Sequence, residues 1–158
     1  MRNDIGEIIQ FAKVKGFLVS VSSNGILVPT KISELKPSDD LKLSFDGLME
    51  IHESLRGKGS FSKLTDAIEC CHENNIKFSL QCVLSNQNFD AIDYLLETAR
   101  KLQRKILFQP GIKSLLWVKD KTNRQPPSLE LYKKQYCLFD GSQKKRRPYS
   151  QLPGGSSA

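Results

Sequence analysis

In the stretch LKLSFDG, residues 41–47, apolar Leu41, Leu43 and Phe45 alternate with Lys42, Ser44 and Asp46, and a glycine stops the run. Alternation of period two predicts a strand. This strand ends in a hydroxyl and a carboxylate, two short groups suited to holding a polar ligand. Similar chemistry recurs at SSNG (22–25) and LSNQN (84–88), and a fourth run ends in FQP (108–110). The competing reading is that Ser, Asp, Asn and Gly simply make turns.

The remaining reactive residues are sparse. The cysteines are Cys70, Cys71, Cys82 and Cys137, and their spacing fits no zinc or haem pattern. They read as free structural thiols in a reducing compartment. The histidines, His52 and His72, have no carboxylate or cysteine at ligand spacing around them. CCH at 70–72 suggests a metal, but successive helical residues do not face one another. No metal site and no catalytic residue are assigned.

Helices and strands must position these groups. Ile5, Ile8, Ile9 and Ala12 recur at helical spacing, and Gly16 supplies a stop. FLVSVS (17–22) follows as a strand, then the SSNG turn and a short helix at Ile32–Leu35. After the 41–47 strand come a helix at Leu48–Leu55 and a longer one capped by Ser60, with Phe61, Leu64, Ala67, Ile68 and Cys71 on its apolar face. KFSLQCVL (77–84) is a third strand. Asn88 or Asp90 caps a helix whose apolar face is Ile92, Leu95, Leu96, Ala99 and Leu102. KILFQP (105–110) is a fourth strand, and 128–136 reads as one last helix. Mostly apolar strands alternating with helices predict an α/β fold with parallel strands covered on both faces. In such folds ligands bind beyond the C-terminal ends of the strands. That places Ser44 and Asp46 at a shared rim.

The 158 residues suffice for one domain. No stretch is long and apolar enough to span a membrane, and the N-terminus lacks signal-peptide features; the cytoplasm is expected. Residues 1–110 balance 14 basic against 14 acidic residues, so the whole net charge of +7 lies in residues 111–158. KKRR at 144–147 sits there beside a Pro/Gly/Ser-rich end. Such a tail reads as a partly disordered, solvated extension. It leaves nonspecific nucleic-acid contact as an alternative, one that no interleaving of exposed aromatics supports.

Residues 44–88 resemble the middle of the radical S-adenosylmethionine (radical SAM) enzymes, in the branch that matures peptides. The likeness rests on Ser-x-Asp-Gly at 44–47, His52, Arg56-Gly57 and the Gly-Ser-Phe helix start at 59–61. It extends to SSNG, which is similar to the family's turn after its third strand, and to FQP, where a sixth strand would end. It implies a partial TIM-like (β/α) barrel, S-adenosylmethionine (AdoMet) as cofactor, a 4Fe-4S cluster and radical-based modification of a peptide or small molecule. It also implies roles. Ser22 and Asn24 match positions reaching the methionine moiety. Ser44 matches one facing the ribose and carboxylate, with Asp46 beside it. Gln81 matches an amide contacting the ribose, and Arg56 an arginine facing the AdoMet carboxylate or the substrate. The plainer alternatives are that Asp46 caps its turn, Arg56 pairs with Glu53, and Gln81 serves a neighbouring strand.

The sequence departs from that family in one decisive respect. A cluster of this kind needs three converging thiolates, and the 158 residues contain no CxxxCxxC. The family's glycine-glycine-glutamate motif is absent too. Matched to the family, the chain corresponds to barrel strands three to six. The expectation is therefore a fragment: residues 1–110 from the C-terminal portion of a radical SAM core, with about four parallel strands, followed by the basic extension at 111–158. It would be inactive alone and prone to self-association through an open sheet edge. The alternative is a non-catalytic module binding AdoMet or peptide.

Overall fold

A computed structural model of the chain describes residues 2–111 and 126–131. Four strands form one sheet in the order β1 (Ser20–Ser23), β2 (Asp40–Ser44), β3 (Phe78–Leu84) and β4 (Ile106–Pro110). Every neighbouring pair is parallel. Parallel neighbours require crossovers. The helices that make or flank them are α1 (Ile5–Val14), α2 (Ile32–Leu35), α3 (Met49–Arg56), α4 (Ser60–Glu73) and α5 (Ile92–Lys101). The α/β architecture read from the alternation is therefore present, with all four strands.

Three local expectations are corrected. The first strand begins at Ser20 rather than Phe17. Val19 is already committed to Asp39, donating its N–H to Oδ2 at 2.7 Å and accepting from the Asp39 N–H at 2.8 Å. Phe17 and Leu18 ahead of it are exposed. Ser60 does not cap α4 but is its first residue. Gly59 occupies the cap with φ +76°, and Glu53 Oε1 accepts the Gly59 N–H at 2.9 Å. Only glycine takes such a backbone cheaply. Neither Asn88 nor Asp90 caps α5. Asn88 folds back on the end of β3, accepting from the Ser85 N–H at 2.8 Å and donating to the Val83 carbonyl at 3.0 Å. Asp90 lies inside a 3-10 turn, Phe89–Ala91, that leads into α5. The end of β3 won this side chain because its own polar groups are buried there.

The larger correction concerns coverage of the sheet. Among the described residues, the strands are not buried on both faces. Along β3, Phe78, Leu80, Cys82 and Leu84 are buried, while Ser79, Gln81 and Val83 are only half-buried. The register carries the same division across the sheet. One face joins Leu41, Leu43 and Leu80 to Ile9, Leu64 and Leu95 of the helices in a single apolar core. The other carries Ser22, Lys42, Ser44, Ser79, Gln81 and Gln109. Polar contacts run across that second face. Lys42 Nζ donates to Ser20 Oγ at 2.9 Å, Ser79 Oγ to Asp40 Oδ2 at 2.9 Å, and Gln81 Nε2 to Gln109 Oε1 at 2.7 Å.

Among the described residues, β1 pairs on one side only. No helix there is long and apolar enough to cross a membrane. The KKRR run, Cys137 and most of the expected helix at 128–136 lie outside the described residues.

Candidate functional site: a polar cavity at the strand ends

A cavity of about 550 Å³ opens where β1 and β2 end, lined by Ser22, Ser23, Asn24, Ile26, Leu27, Ser44 and Arg56. Its volume lies in the range usual for small-molecule sites. The parallel strands put their C-terminal ends on one rim, and the crossovers bring α3 and the 24–27 turn to it. The turn is held by its own side chains. Ser23 Oγ accepts the Gly25 N–H at 3.1 Å, and Asn24 Oδ1 accepts the Ile26 N–H at 3.3 Å. Gly25 has φ +89°, and a Cβ there would stand 3.3 Å from Leu64 Cα and Ala67 Cβ of α4. The missing side chain lets the turn pack down on α4, which raises Ile26 and Leu27 into the cavity wall.

Four of the six residues singled out from the sequence, Ser22, Asn24, Ser44 and Arg56, line this cavity. Asn24 also makes the turn, so its carbonyl oxygen is engaged while its side chain still borders the space. Gln81 stands on the same open face beside it. It receives a long 3.5 Å contact from Ser22 Oγ and donates to Gln109. A neighbouring strand is therefore part of what Gln81 serves.

Asp46 is placed differently from the expectation. It is fully buried and does not reach the rim. Its Oδ2 accepts from Arg56 Nε at 2.5 Å, so Arg56 pairs with Asp46 and not with Glu53, which serves Gly59. Breaking such a buried pair is costly because the remaining charge has little water to turn to. The backbone of Asp46 is held as well, its N–H donating to His52 Nδ1 at 3.2 Å. His52 is itself fully buried, and Phe61 meets it edge-on at 5.8 Å. Gly47 completes the turn with φ +143°, where a Cβ would stand 3.2 Å from Ala91 Cβ. Thus the Ser-x-Asp-Gly run divides its work. Ser44 faces the cavity, Phe45 enters the core, Asp46 anchors Arg56 and Gly47 turns the chain.

The sequence reading assigned no site role to Ile26, Leu27, Gln109 or His52. The first two are an apolar pair directly after a turn, a weak signal of a wall facing a ligand. Gln109 could have been found from its place beside Pro110 at a strand end. His52 had no spacing signal, because its partner is a backbone N–H.

The residues fit one of the two expected groups. Hydroxyl, amide and guanidinium groups beside an apolar wall suit a nucleoside carrying an amino acid. A metal cluster is not accommodated by the described residues, among which no group of three or more His, Cys, Asp or Glu side chains converges. Cys71 and Cys82 are buried on the helix-covered face, away from the cavity. Burial, with the adjacent Cys70 thiol, pushes the Cys71 thiol up to about 11.

No protein-family model matches the chain. It is 30% identical over 92 residues to Fe-coproporphyrin III synthase of Methanosarcina barkeri, covering 56% of this chain and 23% of that protein. It is 32% identical over 100 residues to mycofactocin maturase MftC of Mycolicibacterium smegmatis, covering 59% of this chain and 25% of that one. The chain thus spans about a quarter of the length of these curated relatives. Among solved structures, native anSMEcpe with bound AdoMet and Cp18Cys peptide superposes with a TM-score of 0.60 at 25% identity, covering 77% of this chain and 36% of that chain. That structural relative holds AdoMet and a peptide. This chain is a relative of the peptide-maturase-like enzymes of the radical SAM superfamily.

Proposed function

We propose that the chain forms one flank of an AdoMet site, the part that grips the nucleoside and amino-acid ends of the cofactor. The observation that carries this is the cavity itself. Ser22, Asn24 and Ser44 converge with Arg56 at the ends of adjacent parallel strands. Ser44 serves the ribose, Ser22 and Asn24 the methionine end, and Arg56 a carboxylate. Ile26 and Leu27 give the adenine an apolar surface. Gln81, tied to Gln109, extends the polar face toward the position a substrate would take. A peptide is the substrate class favoured, since a structural relative holds one.

AdoMet cleavage needs an electron that the cluster supplies in this family. The 158 residues lack CxxxCxxC, so the chain on its own binds without performing that chemistry. We assign residues 1–110 to this barrel portion and 111–158 to a separate extension. Self-association through the β1 edge belongs to the same reading. Its support is the one-sided pairing of Ser20–Ser23 and the exposure of Phe17 and Leu18 just ahead of it.

Titrating AdoMet into the isotope-labelled full chain tests the reading by NMR. Shift changes centred on residues 22–27, Ser44 and Arg56 are expected at millimolar ligand. An unchanged spectrum, or changes confined to the helix-covered face or the basic extension, overturns it.

A further inference from the structure

We propose that His52 is a positioning residue: through Asp46 it fixes Arg56 so that the guanidinium reads a carboxylate in the cavity. The inference rests on the reading that this cavity takes AdoMet, and it adds a residue that touches no ligand.

The geometry runs inward from the cavity wall. Arg56 lines the cavity, with its side chain 20% exposed, and it gives Nε to Asp46 Oδ2. Asp46 is fully buried, so its carboxylate bears on the cavity through the guanidinium that it holds. What orients the carboxylate is the backbone on which it stands. The Asp46 N–H points into the interior and is received by His52 Nδ1 at 3.2 Å. An Nδ1 that accepts a hydrogen bond places the ring proton on Nε2 and makes the imidazole neutral. The ring is held by its own packing, edge-on to Phe61 and tilted 45° against Phe45 with centroids 6.4 Å apart. His52 and Arg56 are four residues apart on α3, so they share one face of that helix. One helix thus contributes both ends of the arrangement, and the 46–47 turn is clamped between them. Without the acceptor at Nδ1, the turn loses one of its two ties to α3 and the carboxylate loses its aim.

The arrangement predicts a selective defect. A carboxylate-bearing ligand needs Arg56 in place, and a ligand lacking that group does not. AdoMet and 5′-methylthioadenosine, which has the nucleoside and sulfur but no amino-acid end, make that comparison. The variants are His52→Asn, whose Oδ1 can replace Nδ1 as acceptor, and His52→Leu, which cannot accept. Circular dichroism melts establish that each is folded.

His52→Leu should weaken AdoMet about tenfold while changing 5′-methylthioadenosine less than about twofold, and His52→Asn should recover most of the AdoMet affinity. Equal loss for both ligands in His52→Leu, an AdoMet affinity unchanged by that variant, or no recovery in His52→Asn overturns the proposal. A ligand-free readout separates this outcome from failure of the AdoMet reading. The Arg56 Nε–H resonance should be sharp and slow to exchange in the wild type and in His52→Asn, and broadened or lost in His52→Leu. If the wild type binds neither ligand, the AdoMet reading fails, and the Arg56 resonance alone still decides whether His52 positions it.

Discussion

The two faces of the sheet are built from the same strands and do opposite work. On one face Leu41, Leu43, Leu80 and Cys82 have no exposed surface. On the other, Lys42, Ser44, Ser79 and Gln81 occupy the alternate positions of those same strands, with Ser22 of β1 paired beside Lys42. A barrel whose interior only packs against itself fills it with branched apolar side chains. Here the face away from the helices is mostly polar, with Val83 and Leu107 among its side chains, and is cross-linked by hydrogen bonds between strands. The lesson is that alternation along a strand can separate stability from function residue by residue. Substitutions on one face should cost folding, and substitutions on the other should cost binding.

The largest effect expected from that contrast is on the covered face. Leu80→Ala should lower unfolding free energy by ~2–5 kcal/mol in urea titration, because it removes a fully buried side chain and leaves a cavity. A loss below ~1 kcal/mol would show that the helices do not pack on the sheet as described. An intermediate effect is expected from Ser44→Ala on the open face. It should leave stability within ~0.5 kcal/mol in the same assay. AdoMet affinity, followed by NMR titration, should fall several-fold. A Ser44→Ala loss above ~2 kcal/mol with the ligand shifts unchanged would reverse the assignment of the two faces.

The smallest effect concerns Cys71, on the covered face of α4. In the unfolded chain its thiol ionises near 9.0, whereas in the folded protein burial holds the proton to about 11. The folded state therefore binds this proton more tightly. Its contribution to stability is intact below pH 9 and drains as pH rises from 9 to 11. Cys71→Ala should flatten that alkaline decline, as read by melting temperature against pH. Iodoacetamide at pH 8, followed by peptide mapping, should label half-exposed Cys70 before Cys71. Equal rates would place Cys71 outside the core.

Much of the architecture was legible because its signals are local. Gly16, with φ +82°, follows α1 as a stop in the manner expected of glycine. Four apolar runs became four strands in chain order, since short parallel units pair with their sequence neighbours. The apolar face read for the fifth helix is the one buried, with Ile92, Leu95 and Ala99 in the core. Helix caps were less legible. Ser60 and Asn88 have capping chemistry, but Gly59 and the buried end of β3 competed for those places and prevailed.

The candidate site divides in the same way. The alternation of strands and helices placed Ser44, Asp46 and the SSNG turn at one rim, because parallel strands end on one side, and Ser22, Asn24 and Ser44 do line one cavity. The tertiary structure decided that Asp46 turns inward to Arg56 ten residues away, and that Gln81 reaches Gln109 across 28 residues. It also decided that His52 meets a backbone N–H. Spacing within a strand or helix follows from the period of that element. Partners between elements follow from how the elements pack, which no local pattern encodes.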